Sequence, residues 1–575
     1  MSTLKANKIE NLTTSDGGVS IDNTGKVTVD GVLVGDGAGT GSNNTAVGTN
    51  TLGANTDGSY NTAVGKGALE ANTGGGRNTA MGVECMSANT TGNYNTAYGY
   101  QALEENTTAS NNTAFGYQAL QDNTSGSNNV GIGVQAGRNL TTGARNVAIG
   151  VNALDAATGI TDTVAIGYAA LNVNTSGSNN VAVGKDTLKA NTTGSGNAAV
   201  GKSALDANTT GTYCTAVGEG ALGANTTANN NTAVGRSALA VNTTGHSNVA
   251  VGSDSLDASQ TGSGNVAIGY AALSSYTQNN NVAVGYQAMQ SSTTGGQNTV
   301  IGDGAMRDGS GFIHCTAVGA NALQDNTANQ NTAVGYNAAA ATTSGNNNVA
   351  VGHDAMPVNT TGFGNNIFGR AAGAAITTGY ANTCIGHQAG DSLTTGHSNI
   401  CIGYQSDTNT AARADSITIG VNIDSIGANY FTFGKSGNRV YNQFTSNASW
   451  TRDSDVRLKK DIQTNTDLGL DFINDLRTVT YKWKAPSELD SDLYGYDADK
   501  TEADYTNKMY GFIAQEVKQA LDDHNVTDFA GWTVNEDQIQ GISYEMFVMP
   551  LVKAVQELSA KNTALEARLA ALEAA

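Results

Sequence analysis

The sequence predicts a mainly β chain: a parallel β-solenoid shaft of 17-residue repeats, then a small α+β domain ending in a trimeric coiled coil. Three observations carry this prediction. First, the segment Asn61-Thr62-Ala63-Val64-Gly65 returns with small changes from Gly48 to Gly420, in 23 copies. Their closing glycines lie 17 residues apart in 20 steps and 16 apart in two, Gly269 to Gly285 and Gly319 to Gly335. A fixed short period marks a chain in which each unit buries its apolar side against the next. Second, half of the net charge of −20 falls after residue 453, where helical patterns begin. Third, Leu551, Val555, Leu558, Asn562, Leu565, Leu569 and Leu572 are spaced 4, 3, 4, 3, 4 and 3. That is an a/d seam with one polar residue able to fix register.

Residues 1–30 stand outside the repeat. Val19-Ser20-Ile21-Asp22 and Lys26-Val27-Thr28-Val29 alternate as two strands around the turn Asn23-Thr24-Gly25. This opening resembles the start of phage tail-fibre proteins, which implies an N-terminus that attaches to the tail or baseplate.

The shaft, residues 31–420, is legible by columns. The residue before the closing glycine is apolar in all 23 copies, as at Val47, Phe115 and Ile166. Two before it, 17 copies carry Ala; four before it, 19 carry Asn; four after it, 17 carry Leu or Met. A turn such as Asn191-Thr192-Thr193-Gly194 follows. One rung therefore reads as a short strand, a glycine corner, a second short apolar segment around Ala-Leu, and a turn. Parallel stacking places Asn above Asn as an amide ladder and Val above Val as an apolar seam. Glycine at the corner supplies positive φ or room for close backbone approach. One or two large apolar residues per rung make a thin core, so three chains are expected to share it, with the Ala column allowing close approach. The Tyr94, Tyr98, Tyr100 and Tyr117 cluster reads as covering neighbouring rungs, with Tyr98 in a buried column; sugar binding on its aromatic faces is the alternative.

The NTAVG and NVAIG strands resemble the repeats of trimeric autotransporter heads of the YadA type. That resemblance covers residues 44–420 and implies a trimeric parallel β-roll. The period here is longer than is usual in those heads, so loop geometry does not carry over.

Composition excludes several functions. With a pI near 4.6 and no basic stripe, nucleic-acid binding is disfavoured. No stretch has the length of a secretion signal or a membrane span, so no membrane insertion is expected and assembly is placed in a host cytoplasm. Cys85, Cys214, Cys315, Cys384 and Cys401 occupy columns otherwise held by Ala or Asn and read as reduced core residues. The six His have no metal-ligand spacing, so neither metal nor cofactor is expected.

Residues 421–453, with Tyr430-Phe431-Thr432-Phe433-Gly434 and Trp450, read as a strand-containing neck that caps the rod. In the tail, Val456–Ile473 reads as a helix capped by Ser454 or Asp455, Thr478–Trp483 as a strand, Tyr510–Val517 as strand into helix, and Trp532–Ile542 as a hairpin. Residues 548–575 form the coiled-coil end.

Three motifs lie in order along this tail: Ser454-Asp455-Val456-Arg457-Leu458-Lys459, then Gly511-Phe512-Ile513-Ala514-Gln515-Glu516-Val517, then Gln556-Glu557-Leu558. They resemble the intramolecular chaperone of phage tail spikes and fibres, the peptidase S74 family seen in endosialidases. The resemblance implies a domain, residues 454–575, that trimerises a fibre and then cuts itself off between Asp453 and Ser454. It implies Ser454 as nucleophile and Lys459 as its base. The chemistry is reasonable, because serine attacks well only when a neighbouring group takes its proton. Five positions along a continuous helix differ by about 140°, so Ser454 is expected before the helix, in a turn doubling back toward Lys459. Arg457 is a candidate to polarise the scissile carbonyl, and Gln515 and Glu516 to organise the trimer. The expectation is a homotrimeric phage tail fibre of the virion, serving as a spacer or binding a host receptor such as a surface glycan. The alternatives are a trimeric bacterial adhesin and a glycan-degrading tail spike.

Overall fold

The fold comes from a computed structural model describing residues 19–21, 27–29, 32–436, 438–444, 451–452, 455–491, 496–503, 507–535 and 538–574. The chain divides into two units, Met1–Asp453 and Ser454–Ala575.

Each rung of the first unit contributes one three-residue strand. Thr62–Val64 stacks parallel and in register on Thr79–Met81, with Ala63 over Ala80 and Val64 over Met81. The stack begins at Thr45–Val47 and reaches Ile417–Val421. It then goes one step further than the repeat count implies: Tyr430–Lys435 lies parallel to Ile417–Val421 with Gly434 paired to Gly420. At about 4.8 Å per strand, these rungs make a stack roughly 110 Å long.

The expected second strand around Ala-Leu forms only in the last rungs, where Ser406–Asp407 pairs parallel with Ile423–Asp424; in the others that segment is a turn. Leu69 sits at φ 52°, Glu84 at 57° and Tyr60 at 62°, and the same positions recur with left-handed φ along the rod. Left-handed backbone costs an ordinary residue about 1 kcal/mol. The offset is visible in the hydrogen bonds, because alternating conformations aim successive N–H groups along the rod axis. Leu69 N–H donates to the Cys85 carbonyl (3.1 Å), Ala71 N–H to Ser87 (2.9 Å) and Thr73 N–H to Thr90 (3.0 Å). The same kink turns each Leu side chain inward.

The interior is closed within a single chain. Ala63, Ala80 and Ala97 of the strand column and Leu69, Met86 and Leu103 of the turn column are all fully buried. This corrects two expectations. The Ala column faces the chain's own core, not a neighbouring chain. The pre-glycine column points outward, and Tyr98 is 47% exposed. The reason is strand alternation: with Ala inside, its two neighbours must face out. Volume is conserved inside. Where the Leu position becomes Gly137, Gly373 or Gly390, a large residue three positions later, Leu140, Ile376 or Leu393, is buried instead.

Two asparagine columns line the interior. In the strand column, Asn61 N–H donates to Asn44 Oδ1 (2.9 Å), while Asn61 Nδ2 donates to the Gly75 carbonyl (2.9 Å). The amide-to-amide ladder forms in the turn column, where Asn72 Nδ2 donates to Asn55 Oδ1 (2.8 Å) and Asn89 Nδ2 to Asn72 Oδ1 (2.7 Å). It stops where the next rung lacks Asn, leaving Asn123 Oδ1 and Asn242 Oδ1 buried without a partner. Corner glycines are obligatory: Gly65 has φ 128°, and a Cβ there would lie 2.6 Å from the Gly82 carbonyl carbon. All five cysteines are free and buried, with Cys384 stacked over Cys401.

Antiparallel strands close both ends. Val19–Ile21, Val27–Val29 and Val32–Gly35 form a meander whose last strand pairs with Thr45–Val47. At the other end Tyr430–Lys435 pairs with Asn438–Gln443, and that strand with Thr451–Arg452. Trp450 lies outside the described residues.

Among the described residues the second unit has three α-helices, α1 (Leu470–Asp475), α2 (Ala514–Asp523) and α3 (Val548–Glu573). One hairpin pairs Val479–Tyr481 with Met509–Gly511, and another pairs Trp532–Val534 with Gln540–Ile542. Phe472 packs with Leu468, Val517, Leu521 and Phe547 in its core. The expected helix over 456–473 is not formed. A 3-10 turn, Val456–Leu458, is followed by irregular chain until α1. Asp461 takes φ 52°, and Asn465 bends the chain by accepting the Asp467 N–H (3.1 Å), so local side-chain bonding displaces the helix.

Candidate functional site

The candidate processing segment starts at the head of the second unit. Asp453 and Ser454 lie outside the described residues. Asp455 caps the 3-10 turn, its carboxylate accepting the Arg457 N–H (2.8 Å). The same carboxylate holds the Arg457 side chain through Nε (3.0 Å) and Nη2 (2.7 Å). This charge-assisted pair lowers the Asp455 pKa and raises that of Arg457. Arg457 is therefore engaged by the residue two before it. Lys459 follows the turn, its N–H donating to the Val456 carbonyl (3.1 Å), with its backbone extended and its side chain exposed. The capping role expected of Asp455 is present, although the turn it caps is three residues long.

The second motif is used for packing and for a groove. Phe512 leads into α2 and stacks on Tyr544 (5.7 Å). Glu516 forms a two-point ion pair with Arg477 of the same chain, which lowers the Glu516 pKa. Gln515, exposed in the first turn of α2, lines an open groove of about 910 Å³ with Val479, Tyr481, Trp483, Ile542 and Tyr544.

The third motif ties α3 to α1. Glu557 Oε2 accepts the Leu470 N–H (2.8 Å) at the start of α1, which lowers the Glu557 pKa. A carboxylate at a helix N-terminus satisfies a free donor and meets the positive end of the dipole. Gly469 makes this approach possible, since a Cβ there would be 2.7 Å from Glu557 Oε1. Sequence reading passed over both Gly469 and Arg477; a glycine directly before an apolar helical run was the available signal.

Beyond its base, α3 is exposed. Leu551, Val555, Leu558, Leu565, Leu569 and Leu572 of the seam are 48–73% exposed, while Pro550 and Ala554 are buried. Asn562 Nδ2 donates to Glu566 Oε1 (3.1 Å) within the helix.

On the shaft, the tyrosine cluster is self-covering. Tyr98 stacks on Phe115 (4.8 Å), Tyr100 on Tyr117 (5.5 Å), and Arg77 lies over Tyr94 (5.2 Å). Among the described residues no group of three or more His, Cys, Asp and Glu is placed to hold a metal ion, and no helix is long and apolar enough to cross a membrane.

Residues 454–526 match the family model described as chaperone of endosialidase, peptidase S74. No curated protein and no solved structure matches the chain. A solenoid of repeated 17-residue rungs followed by this domain fits a tail fibre with a C-terminal chaperone.

Proposed function

We propose that the chain is a phage tail fibre made as a homotrimeric precursor. Its N-terminus attaches to the tail or baseplate, its shaft serves as spacer or host-receptor binder, and residues 454–575 align three chains and then release themselves. The observation that carries this reading is the chaperone match beginning at Ser454, directly after a repetitive rod. The boundary between the two units falls at the same junction.

Two exposed apolar surfaces support the trimer. One is the a/d seam of α3. The other is the pre-glycine column, in which Phe115, Val200, Ile301, Phe368 and Ile385 are among the exposed residues. At about 50 Å² per rung, that stripe leaves on the order of 1,000 Å² along the rod. This exceeds the few hundred Å² normal for a monomer and is comparable to the ~800 Å² per partner of a stable interface. Near-identical rungs make register slips between chains cheap, so a terminal seed that sets the phase has a clear use. Cutting the seed away leaves a rod whose nucleus is gone and whose unfolding is kinetically hindered.

In the cleavage step Lys459 takes the Ser454 hydroxyl proton and Ser454 Oγ attacks the Asp453 carbonyl. The peptide bond breaks, its nitrogen leaves with the proton, and water then hydrolyses the ester. Mass spectrometry of purified protein should find a fragment of residues 454–575. Ser454→Ala and Lys459→Ala should each give only full-length chain. Processing at this junction in either variant would overturn the dyad assignment.

A further inference from the structure

The second unit contains an exposed arm and a groove, and among the described residues none of 455–466 lines that groove. In the arm, Val456 is 67% exposed, Leu458 60% and Ile462 63%. Large apolar side chains this exposed on consecutive segments call for a partner. Among the described residues, no backbone hydrogen bond is made by the N–H groups of 460–464, so these donors are available to pair with a sheet edge.

The groove has the matching deficits. Thr478, Val479 and Thr480 line one wall and Gln540, Gly541 and Ile542 the other. Successive residues of a strand point to opposite faces. Three consecutive residues on each wall therefore mark the strands' edges. Among the described residues each of these hairpins has two strands, so each strand keeps one unpaired edge. Between them the floor is apolar, with Tyr481, Trp483, Phe512 and Tyr544. An extended segment laid here gains backbone hydrogen bonds from the edges and pockets for its side chains.

We propose that residues 455–466 of each chain dock as an added strand in the groove of a second copy of this chain. This rests on the trimer reading above. Twelve residues span up to about 40 Å when extended, ample to cross to a neighbour whose helix lies about 10 Å away in a coiled coil. A head-to-tail exchange closes at three chains, with every arm seated and every groove filled. The arm also carries Lys459, so docking fixes the processing segment only where a neighbour is present.

The test co-expresses two differently tagged full-length chains, both kept uncut by Ser454→Ala, one with Ile462→Cys and the other with Thr480→Cys. The native cysteines are buried in the shaft and do not interfere. After mild oxidation, a non-reducing denaturing gel should show a covalent two-chain band carrying both tags, and only when both variants are present. Light scattering on the same sample reports assembly. A three-chain mass without the band overturns the arm exchange and leaves the trimer reading standing. A single chain carrying both cysteines that closes an intrachain disulfide in preference overturns it too, because the arm then folds back on its own groove. A one-chain mass overturns both. Unsubstituted protein gives a second measurement: in mixed light- and heavy-isotope trimers, lysine crosslinks from Lys460 to Lys482 or Lys484 should join light to heavy chains, and purely same-label crosslinks would contradict the exchange.

Discussion

The shaft and the C-terminal unit solve burial in opposite ways. In the shaft every Leu and Ala of the inner columns is removed from water by its own chain, rung upon rung. In the C-terminal unit the apolar residues of the α3 seam and of the 455–466 arm stay exposed. The difference assigns the labour. A closed shaft core needs no partner chain to fill its inside, so in the proposed trimer the other chains would add to its outside face. The open terminal unit is the part that leaves apolar surface for the proposed trimer to bury. The proposed task of a chaperone placed there is register, since the shaft interior is already specified by local stacking.

The largest expected effect attacks the open region. Leu565→Asp with Leu569→Asp puts charges in the middle of the seam, where each costs several kcal/mol on burial. Three-chain assembly and release of residues 454–575 should both be lost, read by light scattering and gel. The shaft strands should still give a β-type circular dichroism spectrum. If the rod unfolds as well, the two regions are not independent in the way the burial pattern states.

The closed region breaks at its corners. Gly201 has φ 135°, and a Cβ there would lie 2.5 Å from the Gly218 carbonyl oxygen. Gly201→Val should cost upwards of ~3 kcal/mol locally, opening a protease-sensitive site in mid-rod that limited proteolysis detects. Equal protease resistance would contradict the obligatory corner.

A titration sharpens the comparison at the shaft's far end. Burial, and then the hydrogen-bonding Asp391 carboxyl, push the Asp407 pKa up to about 6. Its carboxylate accepts N–H groups of Ser392 (2.9 Å) and Thr408 (2.7 Å). With the folded value above the unfolded one, its contribution to stability is fully present below about pH 3.8 and is lost as pH rises through about 6. Asp407→Asn should therefore raise the Tm at pH 8, by about 1–3 kcal/mol equivalent, and leave it nearly unchanged at pH 4. A gain confined to low pH would reverse the sign.

The smallest effect grades the ladder. Asn208 donates to Asn191 Oδ1 (2.8 Å) and accepts from Asn225 (2.9 Å), whereas Asn123 ends its run with an unpartnered oxygen. Asn208→Ala should cost about 1–3 kcal/mol and Asn123→Ala noticeably less, measured as Tm differences. Equal losses would mean that the amide stacking contributes little.

Much of this was written in the repeat. Period, corner glycine, Asn stacking and strand position follow from columns that align by eye, because a solenoid repeats one local solution. The inward and outward faces were not legible. A three-residue strand with Ala at its centre reads equally well with Val inside, and only the left-handed turn, which brings Leu69 and its equivalents into the core, decides it. Composition gives no sign that Leu adopts φ near 52°, since stacking hydrogen bonds, not propensity, impose it. In the terminal unit the alternating strands, α2 and the C-terminal helix were readable from periodicity. The helix over 456–473 was misread because Asp461 and Asn465 interrupt it through local side-chain and backbone geometry. The Glu557–Gly469 contact joins residues far apart in sequence, and no single-chain pattern announces it.

The most direct measurement is the solution mass of the uncut Ser454→Ala chain by native mass spectrometry. The account predicts a species of three chains, three times 58.5 kDa, persisting at micromolar concentration. A folded species at 58.5 kDa, with its seam and pre-glycine stripe left in water, would contradict it.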